Sequence, residues 1–161
     1  MPDAAGIKLE RTYPAPVEDV WELWTTKAGI ESWWAPDGFT VEVSKLELEP
    51  GGELLYAMTA TGPEQIEFMS AAGLPLTNEA RKTFSEVIPD ERLAYSSLVD
   101  FVPGVEPYEH LTVVSFQQVS GGVRTVMTIE PMHDDEWTQR LVAGRVNELD
   151  NLAKLLAARA G

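Results

Sequence analysis

The sequence predicts an α+β fold in which a curved antiparallel sheet of about six to seven strands is wrapped around a long C-terminal helix. Helical spacing of apolar residues follows the first strand, alternation with a period of two dominates residues 39–129, and residues 134–160 form one further helical stretch. A chain of 161 residues suits one domain, which we take as residues 1–161. A sheet with one apolar face needs a cover, and only the last helix is long enough to supply it.

The N-terminal segment predicts one short strand and two short helices. Apolar and polar residues alternate from Ile7 until Pro14 ends the strand. Apolar residues then recur at positions i, i+3, i+4 and i+7, which indicates an amphipathic helix. The residues of this stripe are Val17, Val20, Trp21 and Trp24. A second helix is predicted over residues 27–34, and Pro36 stops it.

Six further strands are predicted from alternation and from the turns between them. The alternation changes phase between Val43 and Leu46 in the first of these strands. Pro50-Gly51-Gly52 is typical of a turn, and Gly121-Gly122 is typical of a tight hairpin. The predicted strands cover residues 39–48, 54–58, 84–88, 93–101, 110–119 and 123–129.

A long connection at residues 59–81 separates two of these strands. Pro63 resembles a helix start, and Gly73 followed by Pro75 resembles a helix end. Connections of this length within a compact domain are either functional or mobile. We therefore expect a lid-like helix in this insertion.

The last helix is predicted over residues 134–160, with Asp134 or Asp135 as its cap. A curved sheet closed over a single helix rarely fills its own interior. The space between them is therefore the expected place for a ligand.

Composition excludes several classes of protein. Twelve Lys and Arg against 26 Asp and Glu give a net charge of −14, which would repel phosphate backbones, so nucleic acid is not an expected partner. The chain has no cysteine, so disulfides and thiol chemistry are excluded. No signal-peptide pattern and no apolar run of membrane-spanning length is present. These observations predict a cytoplasmic protein without a membrane span, and no pattern indicates a cofactor.

Several short motifs together resemble a known family. They are Ala15-Pro16-x-x-x-Val20-Trp21, Trp33-Trp34-x-Pro36, Pro50-Gly51-Gly52, Glu86-x-x-Pro89-x-Glu91-Arg92-Leu93, the Gly121-Gly122 hairpin with Arg124, and Gly144 with Leu149-x-x-Leu152. Their order and spacing resemble the activator-of-heat-shock-protein-ATPase homologue (AHSA-like) family of the START/SRPBCC superfamily. The resemblance implies the helix-grip fold with an apolar cavity beneath the last helix. Proteins of that superfamily include lipid carriers, hormone receptors and polyketide cyclases, so the resemblance leaves the activity open.

Strand parity predicts which side chains line the cavity. Side chains alternate between the two faces of a strand, so residues two apart share the inner face. The alternative for each such residue is that it only packs the core. The predicted ligand-binding residues are Trp34, Tyr56, Met58, Phe84, Tyr95, His110, Phe116, Met127 and Arg145.

Two polar residues in that set carry the candidate chemistry. His110 could act as a general base or orient a polar ligand group, or it could be a half-exposed histidine at a strand start. Arg145 lies on the inner stripe of the last helix and could bind a ligand carboxylate. It could instead pair with Glu86 or Asp100, or extend to the rim of the cavity. We also expect the acidic run at residues 133–136 to cap the helix and not to bind a metal.

The leading hypothesis is a protein that binds a small apolar or amphipathic molecule in an internal cavity. One alternative is an enzyme of cyclase, hydrolase or isomerase type that acts on an aromatic or polyketide-like substrate, although no catalytic constellation is diagnostic. Another, implied by the family name, is a protein that activates a chaperone ATPase. Exposed Trp33-Trp34 or the sheet edges could also support a homodimer.

Overall fold

The structure confirms the predicted fold class and most element positions. The computed structural model describes residues 6–35, 37–100, 102 and 104–160. Pro36 and Phe101, at the ends of two predicted elements, lie outside the described residues. The elements in chain order are β1 (Ile7–Tyr13), α1 (Val17–Thr25), α2 (Lys27–Trp33), β2 (Phe39–Leu46), β3 (Glu53–Ala60), α3 (Pro63–Ala71), β4 (Thr77–Ile88), β5 (Arg92–Val99), β6 (Tyr108–Val119), β7 (Gly122–Ile129) and α4 (Asp135–Ala160).

The strands form one curved antiparallel sheet in the order β1-β7-β6-β5-β4-β3-β2. A β-bulge between Val43 and Lys45 accounts for the change of alternation phase seen in the sequence, because an extra residue on one strand inverts which side chains face inward. Gly51 and Gly121 have φ values of 87° and 80°, which a residue with a Cβ adopts only with strain. Both predicted turns are therefore present where glycine is needed.

The predicted connection at 59–81 is shorter than expected. β3 continues to Ala60 and β4 begins at Thr77, so only residues 61–76 connect them. The predicted helix is present as α3, and one face of it contributes the buried Met69. Pairing with β3 and β5 extends β4 through a segment that has little apolar alternation of its own. Tertiary hydrogen bonding has overridden the local pattern here.

The core lies between the inner face of the sheet, the helices α1 and α2, and the C-terminal half of α4. The predicted stripe of α1 is buried, and Leu149, Leu152 and Leu156 of α4 are each at most 3% exposed. At its N-terminus α4 is capped by Asp134, whose Oδ1 accepts a hydrogen bond from the backbone N–H of Trp137 at 2.8 Å. No helix in the described part of the chain is both long and apolar enough to cross a membrane.

Candidate functional site

A row of polar side chains crosses the inner face of the sheet. Lys82 on β4 lies opposite Ser97 on β5, and Ser97 lies opposite His110 on β6. Because directly opposed residues of neighbouring strands share one face, all three side chains point to the same side. Across from this row α4 contributes Arg145 and Glu148, which are three positions apart and therefore on one side of the helix.

A cavity of about 310 Å³ lies between the polar row and the N-terminal half of α4. This volume is at the lower end of the roughly 300–1,000 Å³ that is usual for small-molecule sites. Its apolar walls are formed by Val99, Met132, Trp137 and Leu141. The cavity is thus lined by apolar surface on some sides and by ionisable groups on others.

Lys82 is buried among aromatic rings. Its ammonium donates a hydrogen bond to Ser97 Oγ at 2.8 Å and lies 5.3, 5.8 and 6.0 Å from the ring centroids of Tyr95, Tyr56 and Trp34. Burial, and then the nearby charge of Arg145, lowers the pKa of Lys82 from 10.5 to about 7. The amine therefore titrates near neutral pH inside the protein.

Arg145 is held against the sheet by a tyrosine. Its Nη1 donates a hydrogen bond to the hydroxyl of Tyr95 at 2.9 Å, and its guanidinium carbon lies 5.8 Å from that ring. The predicted pairing with Glu86 is wrong, because Glu86 pairs with Arg92 at 2.5 Å on the outside. Asp100, the other predicted partner, is exposed. Arg145 is only 4% exposed, so it does not extend to the rim either.

Glu148 is the acidic member of the cavity. Its Oε1 is buried and has no hydrogen-bond partner among the described residues. Burial raises the pKa of Glu148, while the charges of Arg145 and Lys82 oppose that rise. Desolvation thus favours a neutral carboxyl group at this position.

His110 is buried and neutral near pH 7. It is 4% exposed, so the alternative of a half-exposed histidine is wrong. Burial, followed by the charges of Arg145 and Lys82, lowers its pKa to about 4. Its Nδ1 is buried without a hydrogen-bond partner in the described structure. A neutral imidazole with an unsatisfied nitrogen can orient a ligand group, and it is a weak base at neutral pH.

The predicted site residues lie in three places. Tyr56, His110 and Arg145 line the cavity. Trp34 and Tyr95 lie beside it, in contact with Lys82 or Arg145. The remaining four belong to the packed core or lie against it: Phe84, Phe116, Met127 and the partly buried Met58. Parity placed all the strand members on the inner face, but it did not indicate which of them face empty space.

Lys82 and Glu148 were not predicted as site residues. Lys82 lies two positions before Phe84, so the same parity rule would have placed it on the inner face had β4 been predicted to start earlier. Glu148 lies three positions after Arg145, a spacing that shares a helix face. Both spacings are visible in the sequence, but lysine and glutamate side chains are ordinarily expected on the solvent-exposed surface.

Trp33 and Trp34 do not form an exposed surface. Each is only 2% exposed and packs with Trp24 in one aromatic cluster. Trp33 and Trp34 therefore do not offer the exposed apolar surface that was considered for a homodimer. In the acidic run at 133–136, His133 Nδ1 lies 2.7 Å from the hydroxyl of Tyr108, and Asp134 caps α4. Within the described ranges no three His, Asp or Glu side chains are grouped as metal ligands.

Solved structures resemble this chain over nearly its whole length. A protein of Chromobacterium violaceum is 23% identical with a TM-score of 0.73, over 97% of this chain and 98% of that one. A protein of Mycobacterium smegmatis is 19% identical with a TM-score of 0.73, over 98% and 94%. The AHSA1 protein of Silicibacter pomeroyi is 19% identical with a TM-score of 0.75, over 96% and 99%. At these identities the likeness shows the fold alone, and the comparison with curated proteins found no match.

The structural comparison shows the fold, whereas the comparison with protein families shows the family. The sequence profile described as "Activator of Hsp90 ATPase homolog 1-like protein" matches residues 14–157. The matched stretch runs from just before α1 to near the end of α4, so it contains every residue that lines the cavity. The resemblance carried by the short motifs is confirmed, and the chain belongs to the Activator of Hsp90 ATPase homolog 1-like family.

Proposed function

We propose that this protein binds a small amphipathic molecule in the cavity between strands β3–β6 and the N-terminal half of α4. The observation that carries the proposal is the cavity of about 310 Å³, which has apolar walls and buried polar atoms without protein partners. Membership in the family supports a ligand-binding or activator-type role in general. The cavity favours the first of these two roles.

The apolar walls would supply most of the affinity. Val99, Met132 and Leu141 present hydrocarbon surface to the cavity. Covering such surface stabilises a complex by roughly 25 cal/mol for each Å² removed from water. This driving force has no direction, so it selects a ligand by size and apolarity and leaves its orientation to other groups.

The unsatisfied polar atoms would supply that orientation. His110 Nδ1 and Glu148 Oε1 are buried and make no hydrogen bond in the described structure. Leaving a buried polar group unpaired costs about 1–3 kcal/mol, which a ligand with a matching polar group would recover. The low basicity of His110 at neutral pH favours such a binding role over proton abstraction, so we do not extend the proposal to catalysis.

Mass spectrometry of the purified protein under native and denaturing conditions tests the proposal. We expect an additional mass in the native spectrum that is lost on denaturation. Neutral 2-naphthamide is a second probe, because its ring system is apolar and its amide can pair with polar atoms of the wall.

Two variants on α4 provide the control for that binding. Leu141→Trp places a larger side chain in the cavity, whereas Ala153→Trp places the same side chain on the exposed face. We expect Leu141→Trp to lose the co-purified mass and the binding of 2-naphthamide, and Ala153→Trp to keep both. A native spectrum without added mass, together with no binding of any naphthyl probe, would refute the proposal.

A further inference from the structure

Basic residues are concentrated at the cavity. Among the residues that the structure describes, four Lys and Arg residues line it, whereas only one Asp or Glu residue does so. The four are Arg81, Lys82, Arg140 and Arg145, and of these Arg81, which precedes Lys82 in β4, directs its side chain to the opposite face of the sheet. A protein with a net charge of −14 would be expected to line a cavity of this size with more acids than bases. The local charge of the cavity is therefore opposite in sign to that of the whole molecule.

The two outer cations are already paired. Arg140 Nη2 lies 2.7 Å from Glu136 on the preceding turn of α4, and Arg81 Nη1 lies 3.6 Å from Glu53. The side chains of these two arginines and their two glutamate partners have between 29% and 70% of their surface accessible to solvent. Water and these carboxylates compensate the outer cations, so they need no ligand.

The two inner cations are compensated by hydroxyl groups and by the faces of aromatic rings. Lys82 donates to Ser97 Oγ, and Arg145 donates to Tyr95 Oη. In the part of the chain that the structure describes, neither has a carboxylate oxygen within 4.0 Å. A buried cation without an anion is costly, and hydroxyl dipoles recover only part of that cost.

Glu148 does not complete the charge balance. Of the acids in the described part of the chain, it alone lines the cavity, and its desolvation favours the neutral form. Even an ionised Glu148 would leave two cations against one anion. The inner end of the cavity is therefore electrostatically suited to an anion that the protein does not itself supply.

We propose that the ligand of this cavity is a small organic acid, whose carboxylate is bound by Arg145 and Lys82 and whose apolar part lies against Val99, Met132 and Leu141. The proposal rests on the proposed function and narrows it to one chemical class. A guanidinium presents several N–H donors in one plane, and Tyr95 occupies one nitrogen of Arg145. The remaining donors can form a charge-assisted pair with a carboxylate, and Lys82 adds a second point of attraction.

Three naphthyl compounds of nearly equal size test the charge of the ligand. They are 2-naphthoate, the isosteric 2-naphthamide and 2-naphthylmethylammonium, each titrated into the protein at pH 6 and followed by calorimetry. We expect naphthoate to bind about tenfold or more tightly than the amide, and the ammonium to bind most weakly. Equal or tighter binding of the amide overturns the acid proposal and leaves the proposed function standing. Binding of none of the three overturns the proposed function, and the acid proposal with it.

Variants then assign the preference to the two inner cations. The readout is the ratio of the naphthoate affinity to the naphthamide affinity. A general loosening of the fold weakens the binding of both compounds, so it does not shift this ratio systematically. We expect Arg145→Met to reduce the ratio to about one and Lys82→Met to reduce it several-fold. Lys154→Met, on the exposed face of α4, should leave it unchanged. A ratio retained in both Arg145→Met and Lys82→Met would overturn the assignment.

Discussion

The two halves of α4 face the same side of the sheet but meet it differently. In the C-terminal half, Leu149, Leu152 and Leu156 are buried in the core. In the N-terminal half, Arg145 and Glu148 face a cavity. The sheet is continuous beneath both halves, so the difference does not come from the strands. It comes from the elements that cover the sheet beside the helix.

The closed half is sealed by the aromatic side chains of α1 and α2. Trp24 lies at the centre of this cluster, with ring centroids 4.7 Å from Trp33, 5.7 Å from Trp34 and 6.1 Å from Phe116. Offset and edge-on aromatic contacts of this kind contribute about 0.5–1.5 kcal/mol each beyond the burial of area. Tyr13 ties the same region to α4, since its hydroxyl lies 3.4 Å from the carbonyl oxygen of Leu149.

The open half lacks such a filling. The tryptophans of the cluster end at Trp34, whose ring lies beside Lys82 and 6.2 Å from the ring centroids of Tyr56 and Tyr95. Beyond it, a hydrogen bond from Arg145 to Tyr95 connects the helix to the sheet. A well-packed apolar end therefore fixes the position of α4, and the other end can keep space and charge for a ligand. One helix thus has a closely packed end and an end that borders a cavity.

The largest expected difference between the halves is the cost of deleting a leucine. Leu152→Ala in the closed half should destabilise the protein by about 3–5 kcal/mol, because the surroundings are packed and a cavity remains. Leu141→Ala in the open half should cost about 1 kcal/mol or less, because Leu141 already borders empty space and is partly exposed. Chemical denaturation of both variants measures the difference. Equal costs would show that α4 is packed alike along its length.

Much of the difference between the packed half and the open half of α4 could be predicted from the sequence. The helical stripe of α1, the strand parity and the leucines of α4 follow directly from apolar periodicity, because apolar burial is what those patterns encode. The same rule placed Tyr56, His110 and Arg145 on inward faces, where they border the cavity, and their role as ligand-binding residues stays a prediction. The rule fails where tertiary contacts override local preference, as in the early start of β4 at Thr77 that carries Lys82 inside.

The position of the cavity could not be predicted from periodicity. Phe84, Phe116 and Met127 share the inner face with Tyr56, yet they pack in the core. Which inner residues face space depends on where the aromatic cluster of α1 and α2 ends in three dimensions. No spacing within a single strand contains that information.

The next largest expected change in unfolding free energy is at Lys82, where the substitution should stabilise the protein instead of destabilising it. A charged amine is costly in this site, so Lys82→Met should stabilise the ligand-free protein by about 1–3 kcal/mol at pH 6. The pKa of Lys82 is about 7 in the folded protein and 10.5 in an unfolded chain. Between these values the unfolded state binds more protons, so the penalty in the native protein declines as pH rises and is lost above about pH 10.

The stability gain of Lys82→Met should therefore be larger at pH 6 than at pH 9. Other titrating groups face Lys82, namely Glu148 and Arg145 from α4, His110 from β6, and Tyr56 and Tyr95 from β3 and β5. They are present in both proteins, but the charge of Lys82 lowers the pKa values of Glu148 and His110. The difference in unfolding free energy between variant and parent therefore reports Lys82 together with its coupling to these two groups. Lys154→Met is the exposed control and should change stability little at either pH. If the stability gain of Lys82→Met grew with pH, the pKa of Lys82 would not be lowered in the folded protein.

Two glycine-to-alanine changes compare local space in α2 and α4, with an effect at Gly29 similar in size to that of Lys82→Met and the smallest effect at Gly144. At Gly29 in α2, an added Cβ would lie 2.6 Å from the carbonyl oxygen of Glu22 and 2.8 Å from the Cα of Leu23. These are backbone atoms that cannot rotate away, so Gly29→Ala should destabilise the protein by about 1–3 kcal/mol.

Gly144→Ala should have the opposite sign, although the exchange is chemically the same. A glycine beside Arg145 suggests a close approach of α4 to the sheet, yet a Cβ there would meet no atom within 4 Å in the described structure. Replacing a helix-interior glycine by alanine in open space stabilises by about 0.5–1 kcal/mol, because the unfolded chain loses conformational freedom and the helix gains propensity. Thermal unfolding of the two variants should therefore shift in opposite directions. A destabilised Gly144→Ala would mean that the N-terminal half of α4 is packed as tightly as the rest, and the cavity beside it would then be smaller than 310 Å³.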